Sequence, residues 1–391
     1  MTLQGKRVLV TGGTGFIGGR LIEKLILDHQ AQVRVLVRNF GHAARIARFP
    51  LEMKFGDIQH ASVVDEAVQG CDFVLHCAHD PAMKPTPQMK LAVQGTRNVC
   101  QAVLAHGVQR LVHVSTFAVY GPMKDRELTE TSNWLPTNQP YILAKRAAER
   151  YVLDAARNKR LPAVVLQPTI VYGPYCQPWT IRPIMQLKNQ RVPLVNGGEG
   201  YCNAVYVDDC VEAIIQAAVQ PEMAGETFLV SGEQPISWRT FYQAFEKTLH
   251  VQATVELSAE QLMKMIKDKK RSQRTIHQLL NLARHPKVIN RFCTLPATRN
   301  LLQMVKKHVS PQRWQSIEAA LYLNKNHRHQ LNGKLEKEIY LPEITEIELF
   351  RSKTQVKIDK AKNRLGYRPA FNFQRGMELT GRYIQWANLN C

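Results

Sequence analysis

The eight cysteines of the chain (Cys71, Cys77, Cys100, Cys176, Cys202, Cys210, Cys293, Cys391) include no Cys-x-x-Cys pair and keep no regular spacing. A disulfide framework and a zinc site are therefore not expected, and no metal ligands are assigned. No apolar run approaches the roughly 18 uncharged residues needed to span a bilayer. Met1-Thr2-Leu3-Gln4-Gly5-Lys6-Arg7 lacks the apolar region and cleavage site of a secretory leader. The expected location is cytoplasmic, with at most a peripheral membrane contact. Repeats and low-complexity tracts are absent too. Acid is scarce, with 32 Asp/Glu against 52 Lys/Arg. That deficit is local: residues 261–337 hold 17 Lys/Arg and 3 Asp/Glu and so carry most of the net charge of +20.

What is present is a core-forming chain of 391 residues, 45% of them apolar. Stretches 7–11, 32–38, 73–77, 111–115 and 163–167 are β-branched and read as buried strands. Stretches 16–28, 88–106 and 141–156 read as the helices between them. This alternation predicts an α/β protein with a doubly wound parallel sheet, whose ligands bind beyond the carboxyl ends of the strands. Further on, 181–189 and 211–219 read as helices, and 204–207 and 227–230 as strands. From about 251 the chain turns basic and glycine-poor. Helical stretches at 262–270, 275–283, 301–309 and 314–323 are punctuated by Pro286, Pro296 and Pro311. The tail returns to short helices at 356–365 and 373–386. Four segments follow: a dinucleotide-binding domain at 1–170, a mixed segment completing the sheet at 171–250, a basic helical insertion or cap at 251–340, and C-terminal helices of the substrate region at 341–391.

Thr11-Gly12-Gly13-Thr14-Gly15-Phe16-Ile17-Gly18 sits between the first strand and the first helix. Gly12 allows the tight turn, Gly15 lets backbone approach a pyrophosphate, and Gly18 allows close helix–strand packing. The helix N-terminus offers N–H groups to the phosphates. A glycine triplet in this strand-to-helix context is the Rossmann dinucleotide fingerprint. The second strand ends in Val37-Arg38-Asn39, without the carboxylate that would hold the ribose hydroxyls of NAD. Arg38 can pair with a 2′-phosphate instead, so NADP(H) is preferred over NAD(H). The bland alternative is a solvated arginine and use of either cofactor.

Tyr141 and Lys145 are four residues apart on a helix and share one face. An adjacent ammonium favours the phenolate, so Lys145 would lower the Tyr141 pKa from its usual value near 10. Tyr141 could then exchange a proton with an alcohol or carbonyl while hydride moves to or from a nicotinamide. Thr116, at a strand end, can hydrogen-bond the reacting oxygen, and Ser115 could share that task. Singly, each residue has an ordinary structural explanation; their order after a nucleotide motif argues against it.

The blocks Thr11–Gly18, Val114-Ser115-Thr116-Phe117-Ala118-Val119-Tyr120-Gly121, Tyr141-Ile142-Leu143-Ala144-Lys145, Gln167-Pro168-Thr169-Ile170-Val171-Tyr172-Gly173-Pro174, Asn203-Ala204-Val205-Tyr206-Val207-Asp208-Asp209 and Ala361-Lys362-Asn363-Arg364-Leu365-Gly366-Tyr367-Arg368-Pro369 occur in that order. Together they resemble the extended short-chain dehydrogenase/reductases, the NAD-dependent epimerase/dehydratase family, over about 1–250 and 350–391. The resemblance implies that Lys145 also binds the nicotinamide ribose. It further implies that Asp57 and Ile58 bind adenine, that Cys77 and Ala78 line the cofactor, and that Pro168 lies beside the nicotinamide. A turn-capping role for Asp57 is nearly as well supported.

The chain also departs from the family. Sugar-nucleotide dehydratases place Asp and Glu after the catalytic Thr; here Phe117 and Ala118 cannot transfer protons, which disfavours that elimination. Cys202 replaces an arginine that grips a diphosphate, Ala92 replaces Asn and Gln167 replaces Arg. With Phe117, Ala118 and Cys202 expected to line the pocket, the substrate is expected to be a fairly apolar ketone, aldehyde or alcohol. A nucleotide-sugar epimerase and a non-catalytic nucleotide-binding scaffold are the alternatives. For the basic segment 261–337 the readings are a solvated cap, an anionic membrane contact or an acidic partner protein. Trp314, Leu321 and Tyr322 beside Lys306, Lys307, Arg313 and Lys325 suit a membrane. No specific nucleic acid is expected, and a homodimer is compatible with the sequence.

Overall fold

A computed structural model describes residues 2–79, 89–283 and 337–390, without the side chains of 272–283. Residues 1–256 and 342–391 form one compact unit, and 257–341 a second.

The first unit is built on a seven-stranded sheet. Its strands are β1 (Arg7–Thr11), β2 (Gln32–Val37), β3 (Glu52–Phe55), β4 (Phe73–His76), β5 (Arg110–Val114), β7 (Ala163–Pro168) and β12 (Thr227–Val230). Short strands lie between these in sequence: β6 (Glu127–Leu128), β8 (Ile170–Tyr172), β9 (Val192–Val195), β10 (Tyr201–Cys202) and β11 (Ala204–Tyr206). The sheet order is β12-β7-β5-β4-β1-β2-β3, with every pairing parallel. Central strands covered on both faces read as nearly unbroken apolar runs, and Val8, Leu9, Val10, Phe73, Val74 and Leu75 are all fully buried. Each such side chain contributes about 1.5–3 kcal/mol when withdrawn from water.

Helices cover the sheet in two layers. On one side α1 (Phe16–Leu27) packs on the helix Val207–Val219. On the other, α2 (Ala61–Val68) packs on α3 (Thr96–Ala105), and α3 on α4 (Pro140–Lys159). Proline at the first position of α4 costs no hydrogen bond, and Arg160, in the left-handed conformation at φ 54°, ends it. Arg20 on α1 grips Asp208 with two hydrogen bonds of 2.7 Å, joining α1 to Val207–Val219.

Several expected boundaries shift. A wide turn of π-helix, Leu91–Gly95, precedes α3, and residue 88 lies outside the described residues. The helix expected at 356–365 opens as a strand instead. Gln355–Val356 pairs in parallel with β6, and only Ala361–Leu365 coils. In the second unit the stretches 262–270 and 275–283 are one helix, Ala259–Ala283, because Arg271-Ser272-Gln273-Arg274 holds no breaker. Ser258 and Gln261 close its start reciprocally: Ser258 Oγ accepts from Gln261 N, and Gln261 Oε1 accepts from Ser258 N. The helices expected at 301–309 and 314–323, with Trp314, Leu321 and Tyr322, lie outside the described residues, as does most of the basic segment. No helix among the described residues is long and apolar enough to cross a membrane.

Within the first unit, the C-terminal segment is fastened to residues 1–256 by Asp209, whose carboxylate accepts from Ala370 N at 2.8 Å and Phe371 N at 3.2 Å. Asp209→Ala leaves these two amides without a partner and is expected to cost about 2–4 kcal/mol, read as a lowered urea midpoint at unchanged slope.

Candidate active site

The expected residues gather where the strands end at the carboxyl edge of the sheet. The chain turns at Gly12 with φ +73°, and a Cβ there would lie 2.7 Å from backbone atoms of Cys77 and Ala78. The glycine turn therefore abuts the end of β4, bringing Gly12, Cys77 and Ala78 together. At Gly18 a Cβ would sit 2.3 Å from the Gly12 carbonyl oxygen, so only glycine lets α1 start this close to β1. Gly15 caps α1 without a side-chain bond, and the first turn, Phe16 to Gly18, holds no carboxylate. Thr14 lies half-exposed beside it. An uncapped helix start in a cradle that any Cβ would fill fits a dinucleotide pyrophosphate. Below it, Thr11 Oγ1 and His76 Nδ1 are 2.7 Å apart, and His76 Nε2 and Thr96 Oγ1 3.0 Å, locking β1, β4 and α3.

Arg38 is exposed one residue past β2. Asp57 Oδ1 accepts from Gln59 N at 2.8 Å, so it closes its own turn. Ile58 is buried against Gly95, and its carbonyl accepts from Asn98 Nδ2 at 2.9 Å. Pro168 ends β7, buried and paired with Val230.

The catalytic candidates come together. Thr116, a buried residue just past β5, hydrogen-bonds Tyr141 through its hydroxyl. Lys145 is buried one turn along α4, and its Nζ donates to Val114 O at 3.0 Å. Tyr141 also meets a group the sequence did not single out: the His79 ring lies 5.1 Å away, tilted by 57°. Its place two residues past Cys77 was the one available signal.

The electrostatics differ from expectation. Burial pushes the Tyr141 phenol above its usual value, and only the Thr116 hydrogen bond opposes this. The Lys145 ammonium is turned to the Val114 carbonyl, so it does not lower Tyr141 here. Burial brings Lys145 itself down to about 8. Burial also pushes the Cys77 thiol up to about 12, so it stays protonated.

Sequence reading also missed a polar network beneath the trio. Glu149, 1% exposed, follows Lys145 by four residues on α4. It accepts from Ser115 Oγ and, at 2.7 Å, from Gln167 Nε2. Gln167 Oε1 in turn accepts from the Tyr120 hydroxyl at 2.9 Å. Ser115 is thus committed to Glu149 rather than to a substrate oxygen. Of the residues expected to line an apolar pocket, Phe117 is 7% exposed and Ala118 half-buried, but Cys202 is fully buried in β10 and takes no part in an open lining.

Residues 8–231 match the NAD dependent epimerase/dehydratase family. A 4-hydroxy-2-methyl-3-oxo-4-farnesyl-3,4-dihydroquinoline-1-oxide ketoreductase from Stigmatella aurantiaca is 27% identical over 253 residues, 64% of this chain and 75% of that protein. The dTDP-D-glucose 4,6-dehydratase of Mus musculus is 32% identical over 234 residues, 56% of this chain and 66% of that protein. Among solved structures, the UDP-glucuronic acid 4-epimerase from Bacillus cereus, in complex with UDP-glucuronic acid and NAD, superposes with a TM-score of 0.66 at 19% identity. That match covers 97% of this chain and 99% of the epimerase.

Proposed function

The chain belongs to the NAD-dependent epimerase/dehydratase family, whose members are enzymes of the oxidoreductase type, and on that premise we propose that it interconverts a fairly apolar ketone or aldehyde and its alcohol with NADP(H). The observation that carries this reading is Thr116 bonded to Tyr141, with Lys145 buried one turn away at the dinucleotide cradle. A bound nicotinamide dinucleotide would supply or accept the hydride. The turn from Gly12 to Gly18 would hold its pyrophosphate, Ile58 and Asp57 would border its adenine, and Cys77, Ala78 and Pro168 would flank the rest. Tyr141 gives a proton to the carbonyl oxygen or takes one from the alcohol, while Thr116 orients that oxygen. Lys145 would hold the nicotinamide ribose, and its ammonium would stabilise the phenolate.

Phe117 and Ala118, lacking carboxylates, support ketone reduction over sugar dehydration, and so does the ketoreductase relative. A nucleotide-sugar epimerase is the second reading, favoured by the superposition on an epimerase. Assay of NADPH with an apolar ketone panel, beside UDP- and dTDP-sugars with NAD, separates the two; clean epimerisation without net oxidation overturns the first. A scaffold without turnover has no specific support. The basic segment 261–337 is proposed as a surface for anionic lipid or an acidic partner on its charge alone, and a homodimer stays part of the same reading.

Arg38 tests the cofactor choice. Its charge-assisted contact to a 2′-phosphate is worth about 1.5–3 kcal/mol, so Arg38→Ala is expected to weaken NADPH binding roughly ten- to a hundredfold and leave NADH unchanged. Fluorescence titration of both reduced cofactors reads this directly; tighter binding of NADH than of NADPH, or an Arg38→Ala variant with unaltered NADPH affinity, would refute the NADP(H) assignment.

A further inference from the structure

We infer that Glu149 is a positioning residue of the active site: its buried carboxylate is the counter-charge that holds Lys145 as an ammonium, and its two hydrogen bonds fix the strand ends that carry Thr116 and Pro168. The inference rests on the reading of Lys145 as part of the reacting set.

The geometry begins with helical spacing. Tyr141, Lys145 and Glu149 stand at i, i+4 and i+8, on one face of α4. Both carboxylate oxygens of Glu149 are occupied, but by neutral donors, Ser115 Oγ and Gln167 Nε2. Ser115 is the residue before Thr116, and Gln167 the residue before Pro168. The same carboxylate therefore ties β5, β7 and α4 at the point where each delivers a functional side chain. A glutamine could make as many hydrogen bonds. What only the acid adds is charge, and a buried charge costs several kcal/mol unless an opposite charge answers it. The answering charge is Lys145, one turn away.

The surroundings leave Glu149 as the carboxylate that acts on Lys145. Cys77, at the end of β4, would help only as a thiolate, and its thiol stays protonated up to about 12. His76 and His113, on β4 and β5, face Lys145 and are held neutral by burial. Around Glu149 itself the other titratable side chain is Tyr120, a neutral phenol kept protonated by burial. Burial raises Glu149 to about 7, while Ser115, Gln167 and Lys145 pull it back. Lys145 sits at about 8, lowered by burial and supported by Glu149. The sign follows: removing the carboxylate disfavours the ammonium, and the Lys145 midpoint must fall.

The test reads Lys145 directly and needs no substrate. Lysine is labelled biosynthetically with ¹³C at Cε, and the Lys145 resonance is assigned by its loss in Lys145→Arg. Glu149→Gln, which keeps volume and hydrogen bonds, is expected to move the Lys145 midpoint down by about one pH unit or more. Glu149→Asp, which keeps the charge, is expected to move it less than half as far. An unmoved midpoint in a Glu149→Gln protein that melts like wild type overturns the inference. Should Glu149→Gln fail to fold, Ser115→Ala decides by the same titration. It weakens the carboxylate, so the midpoint falls if the coupling exists and stays if it does not. Should the midpoint move while no ketone is reduced, the failure belongs to the proposed reaction and not to the pair.

Discussion

Tyr141→Phe is expected to lower kcat for carbonyl reduction by about 10²–10⁴-fold, the usual contribution of a positioned acid or base. The substitution removes one hydroxyl and one hydrogen bond, that to Thr116. Its cost to stability is therefore about 1 kcal/mol. The ring, with its contact to His79, remains. Cofactor affinity should stay within a factor of two or three of wild type, because the glycine turn and the end of β2 are untouched, an expectation consistent with ~0.5 kcal/mol of indirect effect. Stopped-flow NADPH oxidation with the best ketone of the panel separates the chemical step from binding. A variant that reduces the ketone at the wild-type rate would remove Tyr141 from the reaction.

The framework of this site was legible because its signals are local. β1 was readable from Arg-Val-Leu-Val-Thr followed at once by glycines, and the last helix, Phe373–Trp386, from its periodicity. Thr116, Tyr141 and Lys145 stood in recognisable blocks. Glu149 did not stand out, since a glutamate on a basic helix looks like an ordinary solvated residue; only the arrival of Ser115 and Gln167 from two other strands buries it. Gln167 was noticed as a departure, yet its amide has meaning only beside Glu149 and Tyr120. Val356, which pairs in strand Gln355–Val356, was read as the start of a helix because the strand's partner, Glu127–Leu128, lies more than two hundred residues away. The direction of Lys145 also escaped, because spacing places a side chain on a face without saying which carbonyl it will choose.

The second large effect belongs to Gly18. A methyl group there would lie 2.3 Å from Gly12 O, 2.9 Å from Gly12 C and 3.0 Å from Gly13 Cα, all backbone atoms with nowhere to retreat. Overpacking of this kind costs about 1–3 kcal/mol or more, and relief requires α1 to move away from the turn. Gly18→Ala is therefore expected to weaken dinucleotide binding by about a hundredfold or more, equivalent to ~2.7 kcal/mol, and to lower the melting temperature by several degrees. Gly5→Ala is the contrasting control: its φ of +67° is unfavourable for alanine, a strain that Gly18 does not carry, but nothing lies within 4 Å of the added carbon. It should cost about 1 kcal/mol and leave cofactor binding intact. If Gly18→Ala binds NADPH like Gly5→Ala, the close approach of α1 to the turn is not what shapes the cradle.

The interruption of the first unit by residues 257–341 sets an order of events on the ribosome. All seven strands of the main sheet have been synthesised once Val230 is made. The partners of Asn203, which are Thr354 O and Val356 N, have not, nor have the amides of Ala370 and Phe371 that Asp209 awaits. At about 5–20 residues per second, the 85 intervening residues take roughly 4–17 s to synthesise. For that interval the nascent chain holds a finished sheet with its closing segment still unmade. Asn203, Asp209 and the edge of Glu127–Leu128 meanwhile face water or a chaperone.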